Sequence, residues 1–425
     1  MAESPSEPKK RVFYGWYVLA ATTFVLCMSF GTSTSIGVYF KPIVEEFGWL
    51  RGDLSLGISI GYFLFALSSP IVGLIIDRIG VRPVFIAGIV MMAVGFGLMS
   101  MVSRLWHVYL YFGVLVALGG ASTTFVSVSA TVIRWFQKRR GMALSIANSG
   151  GALGLLLVVY LAAFLIERIG WRQAFVYSAF ILAATTLPLI FFVIRHDPKE
   201  MGLVPDGRTG DEQVAGAPGA PSRNLAHLDW RQAMKTQPFF LISAGYFTCG
   251  FSVTLFTIHT IPYATDLGFD FQAAAWAVSF SGFFNVIGTL TAGMISDRTG
   301  RKNILGITYF VRGMSFVIFL LWQNLFSLYL FAAVIGISYF ATAPLTAGLA
   351  GDIYGSKNMG VIYGTMTGIH QIGSAVGVYL GGLVFDRTGS YQGAYLMAVA
   401  LLMGASLASF LVRESRYREP VPAES

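Results

Sequence analysis

Twelve apolar stretches, each long enough to cross a hydrocarbon layer, constrain this chain more than any other feature of its sequence. Crossing a bilayer core takes roughly 20 residues of helix, and such stretches fall at 15–40, 53–76, 83–103, 107–133, 141–165, 172–194, 239–264, 272–296, 303–322, 326–351, 358–385 and 392–412. In lipid a backbone must satisfy its own hydrogen bonds, so each stretch is expected to be a helix. Only 12% of residues are charged, against about 25% in soluble domains, too few to cover an aqueous surface. The expectation is an all-α membrane protein with twelve transmembrane helices in two six-helix bundles.

The net charge of +8 does not point to nucleic acid, because Lys and Arg fall in short clusters between apolar runs rather than along one face. Arg78 and Arg82, Lys138 to Arg140, Arg195 to Lys235, Arg298 to Lys302, and Lys357 follow spans 2, 4, 6, 8 and 10. The positive-inside rule then places these loops and both termini in the cytoplasm, in an inner membrane. Lys9, Lys10 and Arg11 precede a first run that carries no small-residue cleavage site, so that run is expected to stay as a span. Cys27 and Cys249 each lie in an apolar run without metal-ligand spacing and are read as small packing residues.

Residues 195–237 form one long polar stretch, with Ala215 to Ser222 reading as a linker too poor in apolar residues to pack. The division is a tail at 1–14, a bundle at 15–194, a cytoplasmic linker at 195–237, a second bundle at 238–412 and a tail at 413–425. Leu228 to Met234 reads as a short interfacial helix. The two bundles look homologous. Gly73 to Arg82 (GLIIDRIGVR) and Gly293 to Lys302 (GMISDRTGRK) match at an offset of 220, each after the second span of its half. Glu167-Arg168-Ile169-Gly170 and Asp386-Arg387-Thr388-Gly389 match at 219, each after the fifth. Parallel repeats of this kind place a substrate site between them near the bilayer midplane.

The Gly-x-x-x-Asp-Arg-x-Gly-x-Arg loops resemble the signature of the major facilitator superfamily, and the resemblance implies its fold. It also implies that Asp77, Arg78 and Arg82, with Asp297, Arg298 and Arg301, belong to a latch that closes the cytoplasmic gate in the outward-facing state. Trp135 to Gly150 (WFQKRRGMALSIANSG) resembles the helix 4 to 5 signature of the monocarboxylate transporter family. Gly15-Trp16, His259 to Tyr263, Asp266-Leu267-Gly268 and Met201 to Gly207 are similar to its bacterial members. Proton- and carboxylate-coupled members carry a Lys in helix 1 and an Asp and Arg in helix 8; here those positions hold Thr34, Asn285 and Thr289. The family's charges are absent.

Other residues must then hold a substrate or a proton. His370, near mid-depth in the eleventh span beside Gln371, and His259 in the seventh carry imidazoles, the side chain type suited to exchanging a proton. Arg312 is a permanent charge well inside the ninth span, functional by default. Against that, a lone His in an apolar helix is more often a bonded packing residue, and an Arg on an outer helix bonds its neighbours. Cavity-lining helices should show polar stripes, and Ser33 and Tyr39, Thr124, Thr248 with Ser252, and Tyr339 with Thr342 supply them. Asn148 and Asn285 are candidate donors. The bland reading is that Ser and Thr bond the carbonyl one turn back.

No nucleotide loop, nucleophile with its base, or metal-ligand cluster is found, so no catalytic or metal residues and no cofactor are assigned. The function expected is secondary active transport of a small organic anion, monocarboxylate-like and proton-coupled, by alternating access. The alternative is an exporter of amphipathic or neutral small molecules. Partners are the substrate, lipid and a co-transported proton, with the monomer as the working unit.

Overall fold

The computed structural model describes residues 13–123, 125–206, 230–354 and 359–413. Among them twelve long helical segments succeed one another: α1 Gly15–Phe47, α2 Arg51–Ile79, α3 Val81–Met99, α4 Leu105–Trp135, α5 Gly141–Ile169, α6 Trp171–Phe192, α7 Gln237–Asp266, α8 Phe271–Thr299, α9 Arg301–Trp322, α10 Leu325–Tyr354, α11 Met359–Thr388 and α12 Gln392–Leu411. Eleven are long and apolar enough to cross a membrane; α8, helical throughout its 29 residues, completes the set. Several helices outrun their apolar runs, α1 continuing through Lys41 to Phe47. The expected interfacial helix is a single turn, Trp230–Ala233; Leu228 lies outside the described residues.

Both repeated motifs are turns of one geometry. In each, an acid-Arg-x-Gly run ends a helix and the glycine takes positive φ: 86° at Gly80, 79° at Gly170, 89° at Gly300 and 69° at Gly389. A residue with a Cβ is strained there, so glycine allows the next helix to start antiparallel. Two apolar cores result. One draws on residues between Val18 and Ile194, joined by Ile258 and Val378. The other draws on residues between Ala233 and Val412, joined by Val38, Leu155, Val159 and Ala163. The visitors in each list come from α1, α5, α7 and α11, the helices along which the halves meet.

One end of the bundle carries Phe13 and Arg413 and the turns after even-numbered helices; we call it the terminal face, and the other the opposite face. Helix α10 does not run unbroken between them. It consists of Leu325–Ser338 and Thr342–Tyr354, with a non-helical Tyr339-Phe340-Ala341 between. Irregular backbone at membrane depth is tolerated where it lines a cavity or is buried in protein. Helix α1 likewise changes register at Ser35.

Candidate functional site

At the opposite face the halves are bound together. Asp266, ending α7, accepts from both Nη1 and Nη2 of Arg51 at 2.5 and 3.0 Å and lies 2.9 Å from Lys41 Nζ. Asp386, in the second repeated motif, accepts from the backbone N–H groups of Arg51 and Gly52 at 2.9 and 2.6 Å, capping the first turn of α2 from the other half. The Arg51 guanidinium also lies 3.6 Å above the Phe385 ring and donates to Tyr391 Oη. Glu167, the matching acid of the N-terminal half, accepts from Gln272 Nε2 at 2.8 Å, on the first turn of α8. So the second repeat, flagged by spacing alone, forms two crossings between halves.

At the terminal face the described contacts stay within a half. Asp77 binds Arg134 at 2.9 Å, Arg82 donates to the Phe191 carbonyl and covers its ring, and Arg301 binds Asp352 at 2.5 Å. Arg78 lines a shallow cleft of about 310 Å³ with Asp77, Arg82, His196 and Glu200. The side chains of Asp297 and Arg298 lie outside the described residues. His196 meets Arg134, and burial, followed by that guanidinium, holds its imidazole below the ordinary value of 6.5. A Cβ added at Gly73, Gly141, Gly364 or Gly368 would meet open space. Among the described residues, polar bonds thus tie the halves together at the opposite face, and none ties them at the terminal face.

Mid-depth charge sits in the C-terminal half. Arg312 is fully buried on α9 and reaches inward between α7 and α10. Its Nε donates to Ser338 Oγ at 2.8 Å, its Nη2 to the Ser338 carbonyl, and its Nη1 to Ser252 Oγ at 3.2 Å and Cys249 Sγ at 3.3 Å. None of these partners is a carboxylate. Cys249, expected as a packing residue, also contacts Thr342 at 3.0 Å; composition gave no signal for this, because the partners come from three helices. His370 is partly exposed, lies in a tilted ring pair with Tyr246 at 4.6 Å and meets Gln371 Oε1 at 3.3 Å.

His259 stands apart from that group. It is fully buried toward the opposite face, with Nε2 at 2.8 Å from the Val378 carbonyl and Nδ1 at 3.3 Å from Tyr391 Oη, so both ring nitrogens are engaged. Tyr39 turns into the N-terminal bundle, bonding Ser178 at 3.0 Å and stacking on Phe175. Thr34 bonds back to the Phe30 carbonyl. Ser33 lies near the Gly120 backbone, and Tyr339 is buried against Phe340. Thr124 lies outside the described residues.

Where the halves face each other at mid-depth, Asn285 is fully buried on α8. Its Oδ1 accepts from the Phe340 N–H at 3.3 Å, at the break in α10, and from Thr289 Oγ1 at 3.1 Å, while Nδ2 has no partner among the described residues. Asn148 Oδ1 on α5 is likewise buried and unpartnered. Sequence reasoning missed the Phe30, Phe125 and Phe340 rings, which gather here within 5.1–5.6 Å of one another. Among 35 Phe nothing local marks these three.

The sequence profile described as Major Facilitator Superfamily matches residues 21–261 and 240–425. An uncharacterized MFS-type transporter, YcxA of Bacillus subtilis, is 29% identical over 88% of this chain and 90% of its own. Monocarboxylate transporter 13 of Rattus norvegicus is 26% identical over 92% of this chain and 87% of its own. A bacterial homologue of the human lysosomal transporter Spinster, solved in an inward-facing and unoccupied conformation, superposes with a TM-score of 0.75 at 15% identity, covering 96% of this chain and 97% of that one.

Proposed function

The chain belongs to the major facilitator superfamily and is an integral membrane transporter of small molecules, and on that premise we propose that it carries a small organic anion of the monocarboxylate kind, with a proton, by alternating access. One observation carries the reading: Arg312, a permanent cation fully buried at mid-depth, is bonded among the described residues to hydroxyl, sulfur and carbonyl groups and to no carboxylate. A charge in low dielectric is costly without an opposite one. An anionic cargo supplies it when bound, which makes the C-terminal half of the cavity attractive to carboxylates. The names of the curated relatives at 25–26% identity point the same way.

His370 is the proton-exchanging group in this reading, since it borders the open space and neither nitrogen is held by a backbone carbonyl. His259 is a structural bridge between α7, α11 and α12. The terminal face, rich in Lys and Arg, is the cytoplasmic side of an inner membrane, so the conformation described is inward-facing. The gating loops at Asp77 and Arg301 are then disengaged latches that meet across the halves in the other state. The working unit is a monomer with two bundles, 15–194 and 238–412, joined by the linker.

A second reading, export of amphipathic or neutral compounds, is favoured by Thr34, Asn285 and Thr289, uncharged residues where coupled relatives carry charges. Uptake into proteoliposomes separates the two. An inward proton gradient should drive labelled lactate or benzoate uptake, and His370→Ala should abolish the gradient dependence while leaving counterflow exchange; His259→Ala should not change the coupling. A carrier indifferent to pH gradients for every small carboxylate, and lowering accumulation of hydrophobic dyes in cells, supports export instead.

A further inference from the structure

The break in α10 is built around an aromatic site. Phe340 occupies it, and its backbone N–H, released from the helix ladder, is taken by Asn285 Oδ1 at 3.3 Å. Holding Phe340 this way brings its ring against Phe30 of α1 at 5.4 Å and Phe125 of α4 at 5.1 Å, both from the other half, in tilted and edge-to-face pairs. All three rings are only partly buried, and Phe125 and Phe340 both press on Gly151 of α5, where a Cβ would come within 3.0–3.1 Å of them. Around the rings lie two amide atoms without partners: the donor Nδ2 of Asn285, fully buried, and the acceptor Oδ1 of Asn148, one turn from Gly151. A buried polar atom left unsatisfied costs about 1–3 kcal/mol. One is a donor and one an acceptor, on helices that pack together at Gly282 and Ala152, and a planar ligand carrying both kinds of group would return both bonds.

Resting on the anion reading above, we propose that the transported acid is aromatic: its ring packs among Phe30, Phe125 and Phe340, and its oxygens accept from Asn285 Nδ2 on the side facing the Thr342, His370 and Arg312 cluster. A hydroxyl or amino substituent would donate to Asn148 Oδ1. An edge-to-face ring gains attraction beyond its buried area, since its positive rim meets a negative face. A saturated ring of equal size does not, so discrimination of about fivefold is expected between them. Because the three rings come from both halves, they separate when the halves rock, which loosens the ring as the cavity turns to the other side.

Four probes test this by calorimetric binding to the purified full chain: benzoate, para-hydroxybenzoate, cyclohexanecarboxylate and benzamide. Benzoate should bind about fivefold tighter than cyclohexanecarboxylate, and para-hydroxybenzoate tighter still. Phe340→Leu should cut benzoate affinity about fivefold and leave cyclohexanecarboxylate unchanged, a pattern that misfolding cannot give; Phe30→Leu provides the same test from the other half. Equal binding of benzoate and cyclohexanecarboxylate overturns the aromatic assignment and leaves the anion reading intact. Equal binding of benzamide and benzoate, both tighter than cyclohexanecarboxylate, supports the aromatic site and sinks the anion reading. Binding of none of the four overturns the assignment.

Discussion

At the opposite face, Asp266 and Asp386 of the C-terminal half bind Lys41, the Arg51 side chain and the Arg51 and Gly52 amides of the N-terminal half, whereas at the terminal face Asp77 and Asp352 each bind an arginine of their own half. The chemistry is the same, acid against base at helix ends, but the consequence differs. A pair within one half moves with it and does not hold the halves together. A pair between halves must break before that end can open. The closed end is thus fastened by charge as well as by packing.

Removing the strongest fastening should change the comparison most. Asp266→Ala leaves Arg51, a buried side chain, and Lys41 without their acid; an unpaired, partly buried charge costs on the order of 2–3 kcal/mol here, so the opposite face should open in a large fraction of molecules. Spin labels at exposed Leu50 and Gln392 would report a long-distance population by pulsed electron resonance. An unchanged distance distribution would show that packing, not charge, holds this end. Asp386→Ala removes a cap from two amides and should act in the same direction by about 1 kcal/mol. Combined with Asp266→Ala it should not add simply, because both acids meet Arg51.

The terminal face supplies the smallest effect. The imidazole of His196 is held below its ordinary 6.5 by burial and Arg134, so the folded chain binds fewer protons there than the unfolded one. Its contribution is therefore full above about pH 6.5 and is lost as pH falls through the lowered value. His196→Gln should flatten the fall in melting temperature between about pH 7 and 5, with little change above. An undiminished slope would place the acid sensitivity elsewhere.

The fold was legible because its constraints are local: apolar length gives each span, and the acid-Arg-x-Gly runs read twice in each half because their glycines need positive φ. The candidate site was legible only in part. Arg312 stands out in sequence as a charge among apolar residues, and Asn285 as a neutral residue where relatives carry an acid. Their partners were not legible, since Ser338, Cys249 and the Phe340 amide are brought in by helix packing. The same limit explains Tyr39, which shares a polar stripe in sequence yet faces Ser178, and Asp386, whose repeat was visible while its grip on α2 was not. The break in α10 does leave a mark, Pro344, which has no N–H to offer the Phe340 carbonyl four residues back, but membrane helices tolerate Pro often enough that it does not by itself announce a break.

Where α7 and α11 cross, there is no clearance. A side chain at Gly250 would collide with the His370 carbonyl, and one at Gly373 or Gly377 with the carbonyls of Phe247 or Phe251. Backbone lies on backbone, so the wall that presents His370 admits almost no variation. At the proposed site, exchanging Phe30, Phe125, Phe340 or Asn148 alters side chains alone, whereas that seam admits none at its glycines: a fixed anvil behind a changeable face.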